Sequence, residues 1–340
     1  MSAPTNDIDI AALGAYLEQQ IDSFHGLREL IKFDVGQSNP TYKLVADSGE
    51  YVLRRQPPGE LLKSAHQVDR EYRVMHALAD TDVPVPPMYH LCEDRDVLGS
   101  MFFVMGFAAG EQFIDPRLPP IDKADRKDYF YAAIDTMAAI HDVDLGAVGL
   151  SDFGRGVDYF ARQTALWTKQ YRAAETDNKP DMETLIEWLP ANMPADDGQL
   201  TLTHGDYKFD NMLFVRGQPQ VLAVLDWELS TLGHPVADLA YFCMCLRMPS
   251  SGLVLGLGGL DLKELGIPGE EQLLARYCST RSIDDVPYFN TFLAFSFFRL
   301  ASISQGVYKR SKLGNASSEK AVFAGEAARL LAAEAVKLIN

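Results

Sequence analysis

The sequence predicts an α+β protein with a β-rich N-terminal third and a mostly helical remainder. Short runs of β-forming residues alternate with turns up to residue 105, whereas apolar residues recur at helical spacing beyond residue 120. At 340 residues the chain is also longer than one hydrophobic core usually requires. These observations together predict two lobes of unlike composition.

The N-terminal third is predicted to contain a helix, five strands and a second helix. The first helix follows Asp7 and carries its apolar residues on one face. Strands are predicted for ELIKFDV, for TYKLVA and YVLRR as a hairpin around DSGE, and for MYHLC and MFFVMGF. MFFVMGF is almost wholly apolar and is therefore predicted to be central. Residues 64–80 are predicted as a helix that Ser64 caps and DVPVPP ends.

The remainder of the chain is predicted to be helical except at MLFV and VLAVLD, which are predicted as strands. The composition changes near GFAAG, so we expect an N-terminal lobe at 1–105, a hinge at 106–110 and a C-terminal lobe at 111–340. A cleft between two such lobes is a common place for a ligand. The predicted helices cover residues 122–142, 156–176, 181–189, 235–247, 267–280, 287–311 and 317–338.

Charge and cysteine content exclude several classes of protein. The formal net charge of -16 argues against a nucleic-acid or anionic-membrane partner, which would require a basic face. Cys92, Cys243, Cys245 and Cys278 do not form a disulfide or metal-binding pattern, and we expect reduced thiols. The N-terminal residues lack the pattern of a signal peptide, and no apolar run approaches the ~18 residues that span a bilayer. We therefore expect a cytoplasmic protein.

The segment HGDYKFDNMLF, residues 204–214, holds the densest set of candidate catalytic side chains. His204, Asp206 and Asn211 form the spacing H-x-D-x-x-x-x-N, and Asp226 follows fifteen residues later at the end of an apolar run. This arrangement is typical of a kinase catalytic loop followed by a metal-binding aspartate. Asp206 would take the proton of an acceptor hydroxyl, and Asn211 and Asp226 would offer Mg²⁺ the oxygen ligands that it prefers. The alternative is a hairpin with polar ends.

HGDYKFDNMLF and VLDWE resemble motifs of the aminoglycoside phosphotransferase and choline kinase-like group of kinase-fold enzymes. With GQSNPTYKL, LRRQPPG, REYRVMHAL and FSFFRLASISQGVYKR, the chain is particularly similar to kinase domains fused to, or encoded near, acyl-CoA dehydrogenases. The resemblance covers roughly residues 25–315. It implies a bilobal protein kinase-like fold, phosphotransferase activity, ATP as co-substrate and Mg²⁺ as cofactor.

The resemblance assigns phosphate contacts to two segments of the N-terminal lobe. DVGQSNPTYKL would bring Gly36, Ser38 and Asn39 to the phosphates, although the segment by itself is more typical of a turn. Arg54 stands where kinases place the Lys that contacts the α- and β-phosphates, and choline kinase-like enzymes use Arg there. If the register of the strand differs by one residue, Arg55 takes this place instead.

The resemblance also assigns supporting and adenine-binding positions. Glu71 is the expected partner of Arg54, against the alternative of a solvated helix charge. FVMGFAAG fits the hinge, where adenine would bond to the Gly106 carbonyl and the Ala108 amide, although many relatives have Glu at the Gly106 position. Asp238 either braces the catalytic loop or caps its own helix.

Three residues inside the catalytic segment have secondary assignments. His204 is interpreted as a brace of the loop rather than a proton shuttle. Lys208 is either a γ-phosphate contact, by analogy with the family, or a surface cation. Asp210 is interpreted as a turn residue.

The acceptor is predicted to be the hydroxyl of a small molecule. Only a dozen residues separate Asp226 from Asp238, too few for the activation segment of a protein kinase. The resemblance favours a hydroxyacyl-type acceptor, whereas an acidic cleft would suit an aminoglycoside or choline. A non-catalytic nucleotide-binding protein of kinase fold is the alternative class. The segment FFRLASISQGVYKR, with Arg299, Lys309 and Arg310, either binds an anionic or acyl ligand or is a core helix with a solvated basic edge.

Overall fold

The computed structural model describes residues 8–33, 39–57, 66–251, 255–314 and 319–339. The chain divides into two compact units. Unit 1 comprises Met1–Gly110 together with Leu222–Ser230, and unit 2 comprises Glu111–Val221 together with Thr231–Asn340. The segment that contains Asp226 therefore belongs with the N-terminal part of the chain, although more than a hundred residues separate them in sequence.

Unit 1 is built on a five-stranded antiparallel sheet with the spatial order β1-β2-β3-β5-β4. All five predicted strands are present, and every residue of β5 is buried, which agrees with its apolar sequence. Because β5 has a neighbour on each side, it lies inside the sheet as expected. The strands are β1 (Leu27–Lys32), β2 (Thr41–Ala46), β3 (Gly49–Arg55), β4 (Met88–Cys92) and β5 (Phe102–Gly106).

Three helices accompany this sheet: α1 (Ile10–Gln20), α2 (Val68–Ala77) and the short α3 (Arg95–Leu98). The side chain of Asp9 caps α1 by accepting from two backbone N–H groups, and the apolar face of α1 packs into the core of the sheet. The structure begins α2 after Gln67, and the predicted cap Ser64 lies outside the described residues.

Unit 2 is mostly helical, and all seven predicted helices are present. The last of them begins at Ala324 rather than at the predicted residue 317, after a 3-10 turn at Glu319–Phe323. The long helix α10 packs against α5, α7 and α11 and forms the centre of this unit. The short helix α8 was not predicted. Among the described residues, no helix is long and apolar enough to cross a membrane. The helices are α4 (Arg126–His141), α5 (Tyr159–Ala174), α6 (Pro180–Asn192), α7 (Val236–Met244), α8 (Leu262–Leu265), α9 (Glu270–Arg281), α10 (Phe289–Lys312) and α11 (Ala324–Lys337).

The prediction of only two strands in the C-terminal part was wrong, because the structure contains three further short strands there. β6 pairs with β8, and β7 pairs with β10, each in antiparallel register. Strands of two or three residues are too short to show an alternating pattern in sequence, so their pairing is set by tertiary contacts. The strands are β6 (Glu111–Gln112), β7 (Thr201–Thr203), β8 (Met212–Phe214), β9 (Val221–Val224) and β10 (Thr231–Gly233).

Candidate active site

The loop between β7 and β8 is held at its start by the carboxylate of Asp238. This side chain is 1% exposed and lies in the first turn of α7. Its two oxygens accept from the backbone N–H of His204 at 2.6 Å and of Gly205 at 2.8 Å. Hydrogen bonds to a carboxylate are stronger than those between neutral groups. Asp238 therefore contacts the loop backbone, whereas at the start of its own helix His234 Nδ1 accepts from the Val236 N–H at 3.3 Å.

Asp238 is itself supported by a buried polar chain. His141 Nε2 lies 3.5 Å from its carboxylate, and the other ring nitrogen of His141 lies 2.7 Å from the Tyr277 hydroxyl. Arg281 donates to that hydroxyl at 3.0 Å. Burial disfavours the charge of Asp238, yet His141 and the loop N–H groups lower the pKa of Asp238. Burial also lowers the pKa of His141. The carboxylate thus stays an acceptor for the loop at neutral pH.

The side chain of His204 also supports the loop from within. It is fully buried, and its Nδ1 accepts from the backbone N–H of Asp206 at 3.2 Å. The ring meets Tyr207 edge to face, with 5.8 Å between the ring centroids. Tyr207 donates in turn to the Ala133 carbonyl in α4 at 2.7 Å. His204 therefore fixes the backbone immediately before Asp206.

The carboxylate of Asp206 has a donor on each oxygen. The Tyr241 hydroxyl donates to Oδ1 at 2.7 Å, and Asn211 Nδ2 donates to Oδ2 at 2.9 Å. The same Asn211 nitrogen donates to the Asp206 carbonyl at 2.8 Å. These bonds use the nitrogen of the Asn211 amide, so Oδ1 is the atom with which Asn211 could bind a metal. The two donors fix the orientation of the Asp206 carboxylate.

Lys208 lies between two carboxylates of the same loop. Its Nζ is 3.3 Å from Asp206 Oδ2 and 3.1 Å from Asp210 Oδ2. Burial opposes its charge, but these carboxylates raise the pKa of Lys208 above its usual range. Burial raises the pKa of Asp210. Asp210, interpreted from sequence as a turn residue, is therefore also the second partner of Lys208.

In unit 1, Arg54 on β3 brings together carboxylates from two distant parts of the chain. Its Nε lies 2.8 Å from Glu71 Oε2 on α2, an ion pair rather than an aligned hydrogen bond. Its NH2 group donates to Asp226 Oδ1 at 2.6 Å and lies 3.8 Å from Glu228 Oε2. The neighbouring Arg55 donates instead to the Leu98 carbonyl at 3.4 Å, because successive strand residues point to opposite faces.

Three carboxyl groups surround the single guanidinium of Arg54. Burial opposes the charge of Arg54, but Glu71, Asp226 and Glu228 raise the pKa of Arg54. Burial raises the pKa of Glu71 to about 8, although Arg54 acts in the opposite direction. The excess of hard carboxylate oxygens fits Mg²⁺, which nucleotide sites bind through one or two carboxylates and the phosphates. Within the described residues, no three His, Cys, Asp or Glu side chains form a metal-binding group.

Of the predicted phosphate-contacting residues, Gly36 and Ser38 lie outside the described residues. Asn39 is described and buried. Its Nδ2 donates to Glu228 Oε2 at 3.4 Å, and its Oδ1 lies 3.0 Å from His66 Nδ1. Asn39 therefore lies beside the carboxylates that surround Arg54.

The predicted adenine-binding residues lie at the end of β5. The Gly106 N–H donates to the Pro87 carbonyl at 2.8 Å, and the Ala108 carbonyl accepts from the Gly110 N–H at 3.0 Å. A Cβ atom at Gly106 would lie 2.7 Å from Pro87 Cγ, so the backbone approach requires glycine. This contact explains why Glu is absent at this position here.

Two contributors to the catalytic loop, Tyr241 and Arg299, were not assigned to it from the sequence. Arg299 on α10 donates to the Gly205 carbonyl at 2.6 Å, and its guanidinium lies 5.3 Å from the centroid of the Tyr241 ring and 5.6 Å from that of the Trp167 ring. Tyr241 is three residues after Asp238, so both project from one side of α7. That spacing was the only signal in the sequence that could have pointed to Tyr241.

The family model described as "Phosphotransferase enzyme family" matches residues 29–264, which is most of the chain. The chain belongs to this family. The chain has a β-sheet unit and a helical unit. This is the kinase-like α+β fold that the sequence predicted. The resemblance stated on HGDYKFDNMLF and VLDWE is thereby confirmed.

Relatives of this phosphotransferase-family chain include parts of much longer proteins. It is 46% identical over 317 residues to acyl-CoA dehydrogenase family member 10 of Mus musculus, covering 93% of this chain and 30% of that protein. It is 41% identical over 321 residues to family member 11 of Homo sapiens, covering 93% and 41%. The chain thus spans less than half the length of these relatives.

Solved structures extend the comparison. A Ralstonia eutropha protein assigned as an aminoglycoside phosphotransferase is 43% identical, with a TM-score of 0.89 over 97% of this chain and 98% of that one. Aminoglycoside phosphotransferase APH(4)-Ia, in a ternary complex with ADP and hygromycin B, is 13% identical with a TM-score of 0.62, covering 95% and 98%. The second likeness shows a shared fold alone.

Proposed function

We propose that the chain is an ATP- and Mg²⁺-dependent kinase that phosphorylates a hydroxyl of a small molecule. The observation that carries this proposal is the geometry of Asp206, whose two carboxylate oxygens are held by Tyr241 and Asn211. A carboxylate oriented in this way can position an acceptor hydroxyl and accept its proton during phosphoryl transfer. Membership of a phosphotransferase family supports the same reaction.

The reaction would proceed by direct transfer between two oxygens. The acceptor oxygen forms a bond to the γ-phosphorus while the bond from that phosphorus to the β–γ bridging oxygen breaks, and ADP leaves. Asp206 takes the proton of the hydroxyl as the new bond forms and later releases it to solvent. Lys208, paired with Asp206 and Asp210, would neutralise charge on the transferred phosphoryl group.

Nucleotide and metal binding would fall to the remaining predicted residues. Mg²⁺ would neutralise charge on the phosphates when bound, with Asn211 Oδ1 and Asp226 as its protein ligands. Arg54, steered by Glu71, would contact the phosphates. We further propose phosphate contacts for Gly36, Ser38 and Asn39, and adenine contacts for Gly106 and Ala108.

The acceptor is proposed to be a hydroxyacyl-type molecule. The support is that relatives at 39–46% identity are named as acyl-CoA dehydrogenases or members of that family. The competing acceptor is an aminoglycoside, because the 43% identical Ralstonia protein is assigned to that activity. Release of ADP in the presence of hydroxyacyl thioesters, and separately of aminoglycosides, distinguishes the two.

Two substitutions test the catalytic assignment. Asp206→Asn removes the proton acceptor but keeps the shape of the side chain, so we expect turnover to fall by about 10³-fold or more while Mg-ATP binding is nearly unchanged. Asp226→Ala removes a proposed metal ligand, so we expect Mg-ATP binding itself to weaken. ADP release measures the first effect, and thermal shift with ATP, Mg²⁺ or both measures the second.

Asp122→Asn, at an exposed carboxylate on the surface of unit 2, is the matched control and should behave as the unmodified protein. Normal turnover by both active-site variants would show that the residues are misassigned. If Mg²⁺ and ATP together produce no stabilisation beyond that of either alone, the chain is a non-catalytic member of the fold.

A further inference from the structure

A groove in unit 2 runs between helices α5 and α10 and has a volume of about 410 Å³. Trp167 lies at one end of the groove, and Lys309 and Arg310 line the other end. The wall between them is made of uncharged residues. These are Gln170, Ala173, Ala174, Ser302, Ile303 and Gly306.

The Trp167 end of the groove is connected to the catalytic loop. The Trp167 ring lies against the Arg299 guanidinium, at 5.6 Å from its centroid. Arg299 lies in turn over the Tyr241 ring, and Tyr241 holds the Asp206 carboxylate. One end of the groove is therefore coupled through direct contacts to the proposed general base.

The length of the groove follows from the geometry of α10. Arg299, Ile303, Gly306 and Arg310 recur at three- and four-residue intervals, so they lie on one side of the helix. Arg299 and Arg310 are eleven residues apart, which places their Cα atoms about 16 Å apart along the helix axis. A molecule that lies along this side of the helix from Arg299 to Arg310 must therefore be elongated.

The far end of the groove carries two positively charged side chains. Among the residues that the structure describes, no acidic side chain forms an ion pair with Lys309 or Arg310. Lys309 donates to the Ala173 carbonyl at 2.7 Å. In a chain of net charge -16, two such cations in one groove indicate a site for an anion.

The acidic side chains that follow α5 in sequence have other cationic partners. Glu175 and Glu183 both pair with Arg172, and Asp177 pairs with Lys179 at 2.8 Å. Two of these carboxylates share one guanidinium, and in the described part of the chain none of the three pairs with Lys309 or Arg310.

We propose that this groove binds the distal part of the acceptor, and that Arg310 and Lys309 recognise a phosphate or carboxylate at the end of the groove away from Trp167. This inference rests on the proposed function, because it assigns the acceptor of the same catalytic loop. The acceptor class is thus a hydroxyl compound with a long, uncharged middle and an anionic end.

The test compares three acceptors in an ADP-release assay. They are a hydroxyacyl thioester of 4′-phosphopantetheine, the same thioester of pantetheine without the phosphate, and a long-chain hydroxy-dicarboxylic acid. We expect the phosphate-bearing or the dicarboxylic acceptor to have a kcat/KM at least about tenfold above the phosphate-free thioester, as expected for a charge-assisted contact. Which of the two is preferred identifies the anion as phosphate or carboxylate.

Substitution then links that preference to the groove. Arg310→Gln should reduce the preference for the anionic acceptor by about tenfold, and Arg310→Glu should abolish it. Lys312→Gln is the matched control, because Lys312 is on the same helix but does not line the groove and lies over the Tyr308 ring. An unchanged preference in both Arg310 variants would overturn the proposal.

A binding experiment separates failure of this inference from failure of the proposed function. 4′-Phosphopantetheine is titrated calorimetrically into the protein with saturating Mg-ADP. If no acceptor is phosphorylated but Arg310→Gln weakens this binding about tenfold and Lys312→Gln does not, the anion site stands and the proposed acceptor chemistry is wrong. If 4′-phosphopantetheine binds equally to all three proteins, or to none, and no acceptor preference depends on Arg310, the groove proposal is wrong.

Discussion

At the scale of single residues, Asp206 is controlled by its hydrogen-bond partners. Tyr241 and Asn211 each hold one oxygen, and Lys208 lies 3.3 Å from the second. Burial and the charge of Asp206 together raise the pKa of Tyr241, so its hydroxyl stays protonated and donates over the physiological pH range. Tyr241 is thus a positioning residue for the proposed base.

Tyr241→Phe tests this role. The substitution removes the donor to Asp206 but keeps the ring against which Arg299 lies, so we expect kcat to fall about tenfold with little change in KM for ATP. Steady-state ADP release measures both constants. Tyr207→Phe is the control, because that hydroxyl donates to the Ala133 carbonyl and not to Asp206. An equal fall in kcat for both variants would show that the effect of Tyr241 is structural.

At the scale of elements, helix α7 positions the loop between β7 and β8 through two side chains that lie one turn apart. Asp238 holds the loop backbone, and Tyr241 holds the Asp206 carboxylate. Helix α10 adds Arg299 on the Gly205 carbonyl. Because both helices are packed into the core of unit 2, the loop is fixed by rigid elements rather than by its own sequence.

Strand β5 provides a second prediction at this scale. A Cβ atom at Gly106 would lie within 2.7 Å of Pro87, so Gly106→Ala should lower the free energy of unfolding by about 1–3 kcal/mol. Gly306→Ala on α10 is the comparison: its nearest atom, Arg310 NH1, lies at 3.7 Å, and alanine favours helix by about 1 kcal/mol. Urea denaturation should therefore show a lower free energy of unfolding for Gly106→Ala and a higher one for Gly306→Ala, each relative to the unmodified protein. If both variants were less stable than the unmodified protein, the proposed difference in packing between the two glycines would be wrong.

At the scale of the whole molecule, buried histidines make stability depend on pH. Burial lowers the pKa of His141 and of His234 below the usual 6.5. Asp238, Arg281 and Asp142 are the charged groups whose fields act on His141. Because the unfolded chain binds protons to these imidazoles more readily than the folded chain, stability is full above pH 6.5 and falls as the pH falls below that value.

His141→Gln tests the pH dependence. The variant should be less stable than the unmodified protein at pH 7.5, because the buried chain to Tyr277 is altered. Between pH 7.5 and 5.5 the variant should lose less stability than the unmodified protein does, by on the order of 1 kcal/mol, because one buried titrating group is gone. Denaturant unfolding at both values measures this, with the exposed His25→Gln as control. If the stability of His141→Gln changed with pH as much as that of the unmodified protein, His141 would not be a source of the pH dependence.

The sequence by itself determined the fold class and the long helices, because each depends on residues close together along the chain, and it marked residues 204–214 as the candidate catalytic segment. Helical periodicity predicted α10, and the spacing of His204, Asp206 and Asn211 predicted the loop. The resemblance had assigned Glu71 to Arg54, but only the tertiary structure decided that Asp226 and Glu228 surround the same guanidinium, since they come from a distant segment of the chain. The tertiary structure also decided which segments of two or three residues pair as strands, and that Tyr241 and Arg299 contact the loop between β7 and β8. In both cases packing between distant elements, not local preference, brings the residues together.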